Sequence, residues 1–141
     1  DNIAPTFNEQ IPANTNASCD NIPTVATLTA SDNCGSATVT VAETVIQGNC
    51  PSNYQIVRTW TATDVCGNTT QATQTITVTD TTGPVAVDTP LVVKVDATCD
   101  NVPGVPTLVF TDNCSGTVIT PEPTVTTSSV VDGVYTITRT W

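Results

Sequence analysis

"YQIVRTWTATDVCGNTTQATQTITVT", residues 54–79, alternates apolar and polar side chains on either side of a central Asp-Val-Cys-Gly-Asn. Period-two alternation rich in Val, Ile and Thr is the pattern of half-buried strands, and Asp, Gly and Asn between two such runs supply a turn. "SATVTVAETV" (36–45) continues the pattern upstream, so strands are expected at 36–45, 54–63 and 71–79, with a further one at 24–31. Between them lie "CDNIP", "SDNCG" and "QGNCPSN", all turn-forming. No stretch reads as a helix. Short strands punctuated by turns predict an all-β chain of immunoglobulin-like antiparallel β-sandwiches.

The chain repeats itself. "YQIVRTW" (54–60) is answered by "YTITRTW" (135–141), "CDNIPTVATLTASDNC" (19–34) by "CDNVPGVPTLVFTDNC" (99–114), and "DNIAP" (1–5) by "DTTGP" (80–84). A period of about 80 residues is a small domain in tandem rather than a solenoid unit. The expected organisation is repeat 1 over 1–80 and repeat 2 over 81–141, the second truncated before its last strand, as a piece of a longer array.

Thirteen acidic residues against three basic ones give a net charge of −10. No basic patch exists to neutralise phosphates, so nucleic acid and direct membrane insertion are not expected. Six cysteines without a single histidine, and without any C-x-x-C spacing, fit disulfides and an extracellular location better than zinc. No catalytic residues are expected: a cysteine nucleophile would lack its histidine base, and Glu43 has no second carboxylate converging on it as glycoside hydrolysis requires.

The Asp-Asn turn at 32–33, "TATD" at 61–64 and "GN" at 67–68 resemble the hyalin-repeat (HYR) class of immunoglobulin-like modules, over the whole chain. The version carrying "CDNIP", "SDNCG", "GNCP" and "RTWTATDVCGN" is similar to tandem modules of very large cell-surface adhesins of Bacteroidetes, including the gliding-motility adhesin class. That resemblance implies a structural spacer or stalk whose partners are neighbouring repeats of the same chain. Two other readings stay open: a module binding a surface glycan or protein through its loops, and a noncatalytic appendage of a secreted enzyme.

A strand over 24–31 would hold Cys19 and Cys34 roughly 25 Å apart, beyond the ~7 Å between Cα atoms that a disulfide spans. In an immunoglobulin-type sandwich the loops after the second and the penultimate strands share one end, which predicts Cys34–Cys66 and Cys19–Cys50. The same scheme gives Cys99 and Cys114 no partner in this sequence. Asp1, Asp32 and Asp64 would then gather at one end, with Asp80 and Asp112 repeating the first two. Such oxygen ligands suit Ca²⁺; equally, each Asp caps its own turn.

Glu43 and Arg58 both fall on the apolar parity of their strands, as do Glu122 and Arg139. A charge on a core face is costly unless paired, so two structural ion pairs, Glu43–Arg58 and Glu122–Arg139, are expected. "DTT" (80–82) resembles the short Asp-Thr O-glycosylation signal of Bacteroidetes, which makes Thr81 a candidate. Asn16, Asn68 and Asn113 are N-glycosylation sequons of consequence only in a eukaryotic host.

Overall fold

The strands expected at 36–45, 54–63 and 71–79 form. The computed structural model describes residues 1–87, 94–115 and 122–141, which fall into two units, Asp1–Thr82 and Gly83–Trp141. Unit one holds β1 (Thr6–Phe7), β2 (Thr15–Ser18), β3 (Ala30–Ser31), β4 (Ala37–Gln47), β5 (Tyr54–Asp64) and β6 (Thr69–Thr79). Unit two holds β7 (Val85–Ala86), β8 (Phe110–Thr111), β9 (Thr124–Thr127) and β10 (Ile137–Thr140). Among the described residues every element is a strand, turn or irregular segment.

The main sheet of unit one has the order β2-β6-β5-β4. β5 pairs antiparallel with β4 and β6, putting Ile56 opposite both Val45 and Ile76. β2 runs parallel to β6, so the sheet is mixed rather than purely antiparallel. The alternation sorts β5 cleanly: Ile56, Arg58, Trp60, Ala62 and Asp64 are buried, while Gln55, Val57, Thr59, Thr61 and Thr63 are not. From β6, Gln74, Ile76 and Val78 join them. Ala17, Cys19, Ile22 and Tyr54 pack on the Ile56–Ile76–Val78 cluster. Full burial of each large apolar side chain contributes about 1.5–3 kcal/mol, so Trp60, Ile76 and Val78, all essentially inaccessible to solvent, anchor the unit.

The other layer is mostly irregular chain. Of the strand expected at 24–31, only Ala30–Ser31 is a strand, paired with β1. Pro23 has no N–H to give a ladder, and the carbonyls of Pro23, Thr24 and Ala26 are taken by side chains of β5 instead. Leu28 closes over the core from this segment.

Two glycines set the hairpins. Gly48 N–H bonds Asn53 O at 2.8 Å across the β4–β5 loop, and a Cβ at Gly48 would collide with that same carbonyl. Gly67 has φ = 90° in the β5–β6 turn, a conformation that favours glycine.

Unit two has the two-stranded ladders β7–β8 and β9–β10. A two-residue turn, Asp132 (φ 51°) and Gly133 (φ 76°), joins Val131 to Val134. Positive φ at both positions is the type I′ geometry that matches strand twist. No helix among the described residues is long and apolar enough to cross a membrane.

Candidate functional site

Two constellations concentrate the polar side chains of unit one. The first is centred on Arg58 of β5, whose guanidinium is buried beneath the irregular layer. Its Nε donates to Glu43 Oε2 at 2.8 Å, its Nη1 to Thr24 O at 3.1 Å and its Nη2 to Pro23 O at 2.7 Å. Glu43 stands directly opposite on β4, as its shared parity with Arg58 implied. The pair is lopsided: the arginine side chain is 4% exposed and the glutamate 43%. Two residues on, Trp60 Nε1 donates to Ala26 O at 3.0 Å. Together these side chains hold the stretch that follows Cys19 against the sheet.

Unit two repeats the clamp but not the ion pair. Arg139 Nη2 donates to Pro103 O at 2.8 Å and Nη1 to Gly104 O at 3.1 Å. The expected Glu122–Arg139 pair is corrected by the strand register, which places Val125 opposite Arg139. Glu122 lies three residues before that position and is exposed, and Arg139 Nε is buried without a hydrogen-bond partner. The arginine-to-carbonyl contact is thus what both copies share. Pro23 and Pro103, each four residues after a repeated cysteine, were its signal in the sequence.

The second constellation is the set of turns at the Asp32–Asp64 end. Asp1 Oδ1 accepts from Ile3 N at 3.0 Å, and Asp32 Oδ1 from Cys34 N at 3.0 Å. Asp64 Oδ1 accepts from Cys66 N and Asn68 N, both at 2.8 Å, and its Oδ2 from Asn68 Nδ2 at 2.7 Å. Asp80 Oδ1 accepts from Thr82 N at 3.0 Å, and Asp112 Oδ1 from Cys114 N and Ser115 N at 2.9 Å. Every one of the five aspartates closes its own turn. The Asn68 side-chain amide, aided by the backbone N–H groups of Asn68, Cys66 and Gly67, holds the Asp64 carboxyl below its ordinary range, against the opposing effect of desolvation.

Of the three acids expected to converge in repeat 1, the structure brings two together. Carboxylate oxygens of Asp1 and Asp32 and Cys34 Sγ all lie within 4.8 Å of one another. Asp64 is spent within its own turn and touches Asp1 only through Asn68 Nδ2, 3.4 Å from Asp1 O.

Cys34, Cys50 and Cys66 are exposed free thiols, so neither Cys34–Cys66 nor Cys19–Cys50 is bridged in this structure. Cys34 Sγ accepts instead from Asn33 Nδ2 at 3.1 Å. The grouping by ends is nonetheless visible. Ala37 opposite Asp64 ends the β4–β5 ladder, placing Cys34 and Cys66 just beyond it on adjacent loops. There a Cβ on Gly35 would stand 3.6 Å from Val65 Cγ2. Cys50 lies in the hairpin loop at the opposite end. Cys99 is also a free thiol, 3.9 Å from Gly133 O.

Thr81 is exposed, as are Asn16 and Asn113, whereas the Asn68 amide is engaged by Asp64. Glu9 was not singled out by its sequence context. Its two carboxylate oxygens take the N–H and the hydroxyl of Thr29 at 2.6 and 2.7 Å, and these bonds lower its pKa, the backbone one most.

The described residues form an all-β module whose polar side chains are largely spent on its own turns and irregular layer. The chain belongs to the family described as HYR-like domains with four cysteines, which matches residues 7–78 and so takes in Cys19, Cys34, Cys50 and Cys66. Comparison with curated proteins and with solved structures gives no match.

Proposed function

We propose that this chain is a spacer segment of a long extracellular surface adhesin or filament, of the gliding-motility adhesin class of Bacteroidetes, built from tandem immunoglobulin-like modules. Its partners are neighbouring repeats, and it carries no enzymatic activity. The observation that supports this reading is the clamp made twice: Arg58 on Pro23 and Thr24, and Arg139 on Pro103 and Gly104. In both copies the repeated arginine fastens the module's own irregular segment, a role that serves architecture rather than a ligand. Membership of the HYR-like family adds an adhesion-type, extracellular context.

In-frame deletion of residues 1–141 from the parent protein tests the proposal. The expected outcome is a filament that is still displayed but shorter by electron microscopy, with binding by the rest of the protein unchanged. Loss of glycan or protein binding with display intact would make the segment a binding module instead.

A further inference from the structure

The unit-one sheet ends on a long, open strand. β4 runs over 11 residues, Ala37–Gln47, and is the last strand in the order β2-β6-β5-β4. Gly48 N–H bonds Asn53 O, and bonded and unbonded pairs alternate along an antiparallel ladder. Residues 38, 40, 42, 44 and 46 therefore bond β5, while Val39, Val41, Glu43 and Val45 turn their N–H and C=O groups away from it. Among the described residues those outward groups meet no further strand, since the bridge from Ser31 reaches only Ser36, ahead of β4. Every residue from Thr40 to Gln47 is exposed. Val41 and Val45 stand opposite Trp60 and Ile56, on the face those residues bury, yet are 46% and 53% exposed. Edge strands are ordinarily blunted by brevity, Lys, Pro or a bulge. β4 has none of these: its register with β5 is unbroken, and its one charged residue, Glu43, is paired with Arg58.

We propose that β4 pairs antiparallel with β4 of a second copy of this chain, about a two-fold axis at Ala42, so that one sheet runs through both copies. A row of outward N–H and C=O groups on an extended chain is matched by another extended chain, and the side chains select this one. Centring the pair on Glu43 would set two carboxylates directly opposite each other, which destabilises. Centring it on Ala42 sets Glu43 opposite Val41, Val39 opposite Val45 and Thr40 opposite Thr44, and every outward-facing residue from 39 to 45 then meets another. The four outward pairs supply about eight backbone hydrogen bonds at two per pair, within the range of about 10 ± 5 that a typical interface carries. The contact is a ladder only about 30 Å long, at roughly 3.4 Å per residue, so it belongs to the weak, transient class of association. It adds a lateral contact between chains, whether or not the module is a spacer.

Analytical ultracentrifugation and amide hydrogen exchange by NMR on the full chain test it. Reductant is kept present, so that the exposed thiols form no disulfide-linked dimers, and salt screens the net charge of −10. A monomer–dimer equilibrium is expected below about 1 mM. As concentration rises, exchange slows at the amides of Val39, Val41, Glu43 and Val45, whereas those of Thr40, Ala42 and Thr44, already bonded to β5, do not change. Val41→Pro deletes an N–H that the β4–β5 ladder does not use, and is expected to weaken association at least about tenfold. Val45→Lys, which puts a charge on the edge, does the same if Val41→Pro fails to fold. A monomer at every concentration up to about 1 mM, slowing confined to other amides, or dimerisation unaltered in the variants that fold would each overturn the proposal.

Discussion

Units one and two carry the same arginine and tryptophan two residues apart, and bury them to different depths. Trp60 is 1% exposed and Trp141 36%; Arg58 has Glu43 on its Nε, while the Nε of Arg139 has no partner. The depth of burial in unit one goes with β6. In unit one Trp60 lies opposite Ala72 of β6 and Val41 of β4, so β5 is a central strand flanked on both edges. Among the described residues, β10 pairs with the short β9 alone. The clamp on the proline carbonyls forms in both units. Deep burial of the core face does not.

The largest effect that would break this comparison concerns the clamps. Arg58→Ala removes a buried stem and three hydrogen bonds together, and is expected to cost unit one about 3–5 kcal/mol; Arg139→Ala, at a half-buried site, costs unit two under about 1 kcal/mol. With one tryptophan in each unit, Trp141→Phe and Trp60→Phe backgrounds let urea melts followed by fluorescence report on each unit separately. Equal losses would show that β6 is not what gives Arg58 its weight. Glu43→Gln sharpens the point: it spares the carbonyl bonds and, because Glu43 is partly exposed, costs only about 1–2 kcal/mol.

A second effect is expected on oxidation. Cys34 and Cys66 occupy adjoining loops beyond the Ala37–Asp64 end of the ladder, and Cys50 lies in the loop at the far end. Oxidised glutathione should therefore link Cys34 to Cys66 in preference to Cys50, with a gain of about 2–4 kcal/mol for unit one alone. Non-reduced peptide mapping reads the linkage, and recovery of a Cys34–Cys50 peptide would contradict the ladder register.

The smallest effect is pH-dependent. Asp64 has a lowered folded-state pKa, so its contribution is present above the ordinary carboxylate pKa of about 3.9 and is lost as pH falls through the folded value. Asp64→Asn should flatten the acid limb of unit one's stability without abolishing it, since Glu9 is lowered in the same sense by Thr29. An unchanged acid limb would mean that the Asn68 and backbone bonds to Asp64 persist in the unfolded chain.

Much of unit one was legible in the sequence because its strands alternate strictly. The Thr/Val periodicity located β4, β5 and β6 to within two residues at each end, and the shared parity of Glu43 and Arg58 foretold their contact, because strand side chains alternate faces by covalent geometry. The aspartate turns were readable for a related reason, since an Asp followed two residues later by a free N–H closes a turn locally. Three features depended on chain segments far apart in sequence. The stretch after Cys19 looked like a strand, yet distant side chains, Arg58 and Trp60, satisfy its carbonyls in place of a ladder. Glu122 looked like a second Glu43, but the β9–β10 register sets it three residues short of Arg139's partner. Asp32 looked like any turn former, and only the packing around it closed Oδ2 off from solvent. Local pattern fixes which way a side chain faces; what it meets there is fixed by register and burial, which arise only when the strands assemble.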